Sequence, residues 1–102
     1  MTVKELLTSA RDLIAEPEHW TQSDYAKNKD GERCSAFSEH VFSFCALGAL
    51  FRVGDDAPVL VNEQARLLLA ANMRQDIAGF NDMSTHQEVI AAFDAAIAEA
   101  QS

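Results

Sequence analysis

A compact all-α domain of about four helices, with an irregular aromatic-containing arm between the first helix and the second, is the fold this sequence predicts. Three observations carry that reading. Apolar residues recur at intervals of three and four over most of the chain. Each periodic run is bounded by a capping or breaking residue. A length of 102 residues with 48% hydrophobic composition suits one small core and leaves no room for a second. Residues 1–102 therefore read as a single helical domain.

The first helix runs from Thr2 to Ala15, where Val3, Leu6, Leu7, Ala10, Leu13 and Ile14 share one side. Thr2 followed by Glu5 forms a capping box, each side chain answering the other's backbone amide. Glu16-Pro17 stops the helix, because proline clashes with the preceding turn and biases the residue before it towards extended backbone. From Glu18 to Arg33 no period holds, which defines the arm. Trp20 and Tyr25 are costly to leave in water, so the arm is expected to fold back over the helices. Asn28-Lys29-Asp30-Gly31 is a turn signature, with Gly31 free to take a positive φ.

A second helix is expected from about Ala36 to Phe51, capped by Ser35 or Ser38, with Phe37, Val41, Phe44, Cys45, Gly48 and Phe51 along one stripe. Gly48 costs such a helix about 1 kcal/mol relative to alanine, and close approach of another backbone is the expected compensation. Gly54 to Pro58 breaks the chain and restarts it. The third helix is read over Val59 to Ala78. The fourth starts at the capping box Thr85-His86-Gln87-Glu88 and presents Val89, Ile90, Phe93, Ala96, Ile97 and Ala100 on one face.

Eight basic residues against sixteen acidic ones give a net charge of -8. That balance disfavours nucleic acid, which needs a positive footprint. The nearest approach to one, Lys27, Lys29 and Arg33, is interleaved with Asp24, Asp30 and Glu32. No apolar run is long enough for a membrane span, and Met1 to Ile14 lacks the continuous apolar segment of a signal peptide. The expected setting is the cytoplasm, where Cys34 and Cys45 stay reduced.

Three groups of residues bear on chemistry. Cys45 is a candidate nucleophile with His86 or His40 as its base, although a position in the middle of an apolar helix suits an inert core thiol. Cys34, Cys45, His19, His40 and His86 show no metal-ligand spacing, so no metal and no cofactor are expected. Asn81-Asp82-Met83-Ser84-Thr85-His86 is the polar segment of greatest interest. Its short side chains suit helix capping, and they also suit a ligand site formed by Trp20, Asn81, Asp82 and His86. In a catalytic version Asp82 and His86 transfer a proton and Asn81 orients the substrate or stabilises an oxyanion.

Trp20-Thr21-Gln22, Gly31, Cys45-Ala46-Leu47-Gly48-Ala49-Leu50, Ile77 to Asp82, Thr85 and Val89 to Ile97 together resemble a small bacterial and phage-associated domain family of unknown function, DUF6197. The resemblance covers most of the chain. It implies a compact, mostly helical domain and brings no activity, ligand or catalytic residue with it. It also makes Trp20, Cys45, Gly48, Asn81, Asp82 and Thr85 one spatial question. The leading functional expectation is a small cytoplasmic interaction or accessory domain that forms a homodimer or binds a protein partner. The alternative is a small-molecule-binding protein, or a small hydrolase or transferase using Cys45 or the Asp82/His86 pair. A third reading has the acidic arm and the Gly54 to Asp56 turn recognise a basic protein segment.

Overall fold

Two reciprocal caps fix where the outer helices begin. In the computed structural model, which describes residues 1–101, α1 spans Val3–Leu13 and α5 spans His86–Glu99. The Thr2 hydroxyl accepts the Glu5 amide at 3.1 Å, and the Glu5 carboxylate accepts the Thr2 amide at 2.8 Å. Thr85 and Glu88 repeat the arrangement at the start of α5, at 3.2 and 2.9 Å. Both capping boxes lie where the sequence predicts them.

Between these helices the chain forms α2 (Ala46–Gly54), α3 (Val59–Met73) and the short α4 (Ile77–Met83). The fold is the predicted all-α domain, with five α-helices among the described residues and a small β-hairpin in the arm. The apolar face of α1 packs against α2, α3 and α5. Leu6, Leu7, Ala10 and Ile14 are completely buried there, with Leu50, Leu69, Val89 and Phe93 closing around them. Burying each large side chain of this kind contributes roughly 1.5–3 kcal/mol. Outside the core, Arg11 Nε donates to Asp94 Oδ1 at 2.9 Å and joins α1 to α5.

The predicted second helix is corrected. Residues 36–45 are not helical: Val41–Phe44 form strand β2, which pairs antiparallel with β1 (Ala26–Asn28), and α2 starts only at Ala46. The cause is local competition. The Ser35 and Ser38 hydroxyls accept the amides two residues on, those of Phe37 and His40, and so stabilise turns in place of a helix. Val41-Phe42-Ser43-Phe44 then suits a pleated strand. Arg52 secures the arrangement by donating through Nη1 to the carbonyls of Ala36 and Ser38 at 2.8 and 2.9 Å. Phe37, expected on the core stripe, is consequently exposed.

The predicted third helix is also divided. Arg74 adopts a left-handed conformation (φ 62°) and ends α3, after which Asp76 caps α4 through its carboxylate and the Gly79 amide at 2.8 Å. The turn before α3 is held by Asn62, whose Nδ2 donates to the carbonyls of Gly54, Ala57 and Pro58. In the arm, Gly31 has φ 81°, and Asn28 Oδ1 accepts the amides of Asp30 and Glu32 around it.

Gly48 meets the expectation of a close backbone approach. A β-carbon built there would overlap the main-chain carbonyl of Tyr25, the same carbonyl that accepts the Cys45 amide at 3.1 Å. Gly48→Ala is therefore expected to destabilise the fold by about 2 kcal/mol or more through overpacking, even though helix propensity alone favours alanine by about 1 kcal/mol. The urea midpoint checks the sign, and a stabilised variant would show that the arm does not press on α2.

Candidate functional site

The polar corner is built around Asn81 on α4. Its side chain is wholly buried, with 0% exposure, and uses both ends of its amide. Asn81 Oδ1 accepts the Trp20 indole N–H at 2.7 Å and the Ala46 amide at 3.0 Å. Its Nδ2 donates to the Thr21 carbonyl at 3.0 Å and to Asp82 Oδ1 at 3.2 Å. Two donors on one side and two acceptors on the other fix the orientation of the amide. One side chain thereby joins the arm, the start of α2 and α4.

Neighbouring residues complete the attachment. Gln22 Nε2 donates to the carbonyls of Asn81, Asp82 and Ser84 at 3.1 to 3.2 Å. The Ser23 amide donates to Asp82 Oδ1 at 2.8 Å, and Ser23 itself takes a left-handed φ of 76°. His86 lies 5.6 Å from Trp20 between ring centroids. Its Nε2 is 2.7 Å from the Ile14 carbonyl. A carbonyl can only accept, so Nε2 carries the proton and is committed to the end of α1. Among the described residues Asp82 and His86 share no hydrogen bond with each other.

Cys45 stands elsewhere in the fold than its expected mid-helix position. It is the N-cap of α2, where its Sγ accepts the Gly48 amide at 3.3 Å. A helix start ordinarily favours a thiolate. Here burial pushes the thiol up from 9.0 and outweighs the lowering by the Gly48 and Leu47 amides, and the Asp82 carboxylate raises it further. The side chain, 3% exposed, is therefore a neutral thiol at physiological pH. It sits beside a cleft of about 290 Å³ lined by Ser23, Asp24, Arg33, Cys45, Ala78 and Asp82.

Of the candidate site residues read from the sequence, Cys45 and Asp82 reach this cleft. Trp20, Asn81 and His86 hold the arm behind it. Asp24 and Arg33 read in the sequence only as parts of a mixed charged stretch and Ser23 carries no signal there; the left-handed Ser23 and the three-quarters-buried Asp24 become visible only once the arm is folded. Among the described residues no group of three or more His, Cys, Asp or Glu stands close enough to hold a metal. None of the described helices is long and apolar enough to cross a membrane.

A second surface lies on α3. Val59, Leu60 and Leu67 are 73%, 62% and 71% exposed. Leu67 is the common wall of two apolar grooves, one of about 470 Å³ shared with Leu47, Ala70 and Ile77, the other of about 490 Å³ shared with Val3, Leu68 and Ala71.

With this geometry in view, the chain was compared with known proteins. A family of unknown function, DUF6197, matches residues 1–99. The chain belongs to that family. Curated proteins and solved structures gave no match. In this DUF6197 domain the matched stretch runs from before α1 to the last residue of α5, so the arm, the amide corner and the α3 surface all belong to it.

Two outcomes follow for the corner. Asn81→Ala leaves the indole N–H, the Ala46 amide and the Thr21 carbonyl without partners, and is expected to destabilise the domain by about 3–5 kcal/mol in denaturant titration. Cys45 makes stability pH-dependent on the alkaline side. Its pKa is higher folded than unfolded, so its contribution is complete below the ordinary thiol value of 9.0 and declines as pH rises beyond it. Thermal unfolding from neutral pH upward is expected to show this decline, and Cys45→Ala to lack that part of it.

Proposed function

We propose that the domain is a small cytoplasmic interaction or accessory module that works as a homodimer, joined through α3. The carrying observation is the outer face of α3, where Leu60 and Leu67 stand seven residues apart in solvent and Leu67 separates two apolar grooves. Isolated exposed leucines are ordinary on a monomer, but a ridge between paired apolar grooves is a surface shaped for a partner. Helix α3 is apolar on its inner side as well, through Ala65, Leu69 and Met73, so it suits a helix covered on two faces.

Charge favours a second copy as the occupant. Glu63 and Arg66 line the groove beside Leu67, and neither has an ion-pair partner among the described residues. A two-fold axis that crosses α3 antiparallel on its symmetry mate brings Glu63 towards Arg66 of the partner subunit and satisfies the reciprocal pair by the same operation. The free thiols Cys34 and Cys45 suit a reducing cytoplasm.

Sedimentation equilibrium over a concentration series tests the reading. The expected mass rises from 11.2 kDa towards twice that value, and association persists at high salt because the buried surface is apolar. Leu67→Glu is expected to raise the dimer dissociation constant about 100-fold, equivalent to about 2.7 kcal/mol. A mass of 11.2 kDa at every concentration would remove the homodimer.

A further inference from the structure

The cleft at the start of α2 carries an inference independent of the α3 surface. Its chemistry is set by which polar groups the fold has already used. The leading amides of α2 are committed, that of Ala46 to Asn81 Oδ1 and that of Gly48 to Cys45 Sγ. An anion entering here would find no free backbone donor from these residues. The acceptors are in the opposite condition. Asp82 Oδ1 receives the Ser23 amide and Asn81 Nδ2, while its Oδ2 has no protein donor among the described residues. Asp24 is three-quarters buried, and its ion-pair partner among the described residues, Arg33 Nε, lies 3.9 Å away, beyond hydrogen-bonding distance.

Arg33 contributes the complementary group. Its side chain is 80% exposed at the edge of the cleft and makes no hydrogen bond among the described residues, so its planar set of donors is free. On the cleft wall the buried Cys45 thiol accepts the Gly48 amide and donates to no acceptor among the described residues. The cleft thus offers two under-used carboxylates, one under-used guanidinium and a neutral thiol. A volume of about 290 Å³ falls just below the range for drug-sized ligand sites, about 300–1,000 Å³, and suits a smaller molecule of amino-acid dimensions.

We propose that this cleft binds a small amino-carboxylate, its primary ammonium group held by Asp82 and Asp24 and its carboxylate by Arg33. The ammonium takes the acceptor positions that the exposed Asp82 Oδ2 and the partly buried Asp24 otherwise present to solvent. The ligand carboxylate takes the bidentate geometry that guanidinium favours and draws Arg33 away from its long contact with Asp24. Tyr25 and Ala78 on the cleft wall leave space for the remainder of the ligand.

The test is an amide-resolved NMR titration of the full chain with L-alanine, with ethylamine, which lacks the carboxylate, and with propionate, which lacks the ammonium. L-alanine is expected to give saturable shifts at Ser23, Asp24, Arg33, Cys45 and Asp82. Ethylamine is expected to bind about 10-fold more weakly, and propionate to leave the spectrum unchanged. Asp24→Asn removes a carboxylate that makes no hydrogen bond among the described residues, and Asp82→Asn keeps an Oδ1 acceptor for the Ser23 amide; each is expected to weaken L-alanine about 10-fold while other resonances stay in place. Arg33→Met is expected to abolish the preference for L-alanine over ethylamine. Absence of saturable shifts with L-alanine, shifts centred away from these residues, or propionate binding as tightly as L-alanine would each overturn the proposal.

Discussion

The attachment of the arm depends on one buried primary amide. A side-chain amide can serve two N–H donors through its oxygen and two acceptors through its nitrogen, and Asn81 has all four partners. Those partners lie on the arm, at the start of α2 and on α4 itself. No hydrophobic residue of similar volume can take this place, because the indole N–H, the Ala46 amide and the Thr21 carbonyl would then be buried without partners. With Trp20 and Thr21 secured, Gln22 falls within reach of three carbonyls on and after α4, and Ser23 turns its amide to Asp82. The wall of the cleft is a consequence of this attachment.

Local signals were legible in the sequence and non-local ones were not. Thr2 with Glu5, Thr85 with Glu88, and Gly31 in its turn act on residues within one turn of themselves, so their patterns translate directly into structure. The apolar run from Val41 to Phe44 is compatible with either helix or strand. Its pairing with Ala26–Asn28 and the grip of Arg52 on Ala36 and Ser38 decided between them, and both act across the chain. The break after α3 was hidden because Arg74, not glycine, takes the left-handed position. The polar character of the Asn81 to His86 segment was readable, but the division of labour within it was not. Asn81 and His86 are turned towards partners 61 and 72 residues away, and this leaves Asp82 to face the cleft. Misplacing the start of α2 also placed Cys45 in mid-helix, when it is the capping residue.

Two surfaces of opposite character lie on either side of the first turn of α4. Ala78 lines both the polar cleft and the apolar groove, while Ile77 belongs to the groove. A domain of this size has few residues to assign to anything but its core. Here the α3 ridge leaves large apolar side chains in solvent, and the net charge of -8 works against indiscriminate association of those side chains. The cleft uses its charges differently, holding carboxylates and a guanidinium near one another without close pairing.

The distance along the chain between Trp20 and the residue that holds it has a consequence for biosynthesis. The chain is made from the N-terminus, so α1, the arm and α2 emerge before Asn81 exists to accept the indole, and Ile14 waits longer still for His86. Until α4 is made, β2 and α2 can hold the later part of the arm, but the tryptophan lacks the acceptor that fixes its indole. Completion of α4 and α5 closes both attachments nearly together, which makes the birth of this domain a late and concerted event in which the last quarter of the chain secures the first.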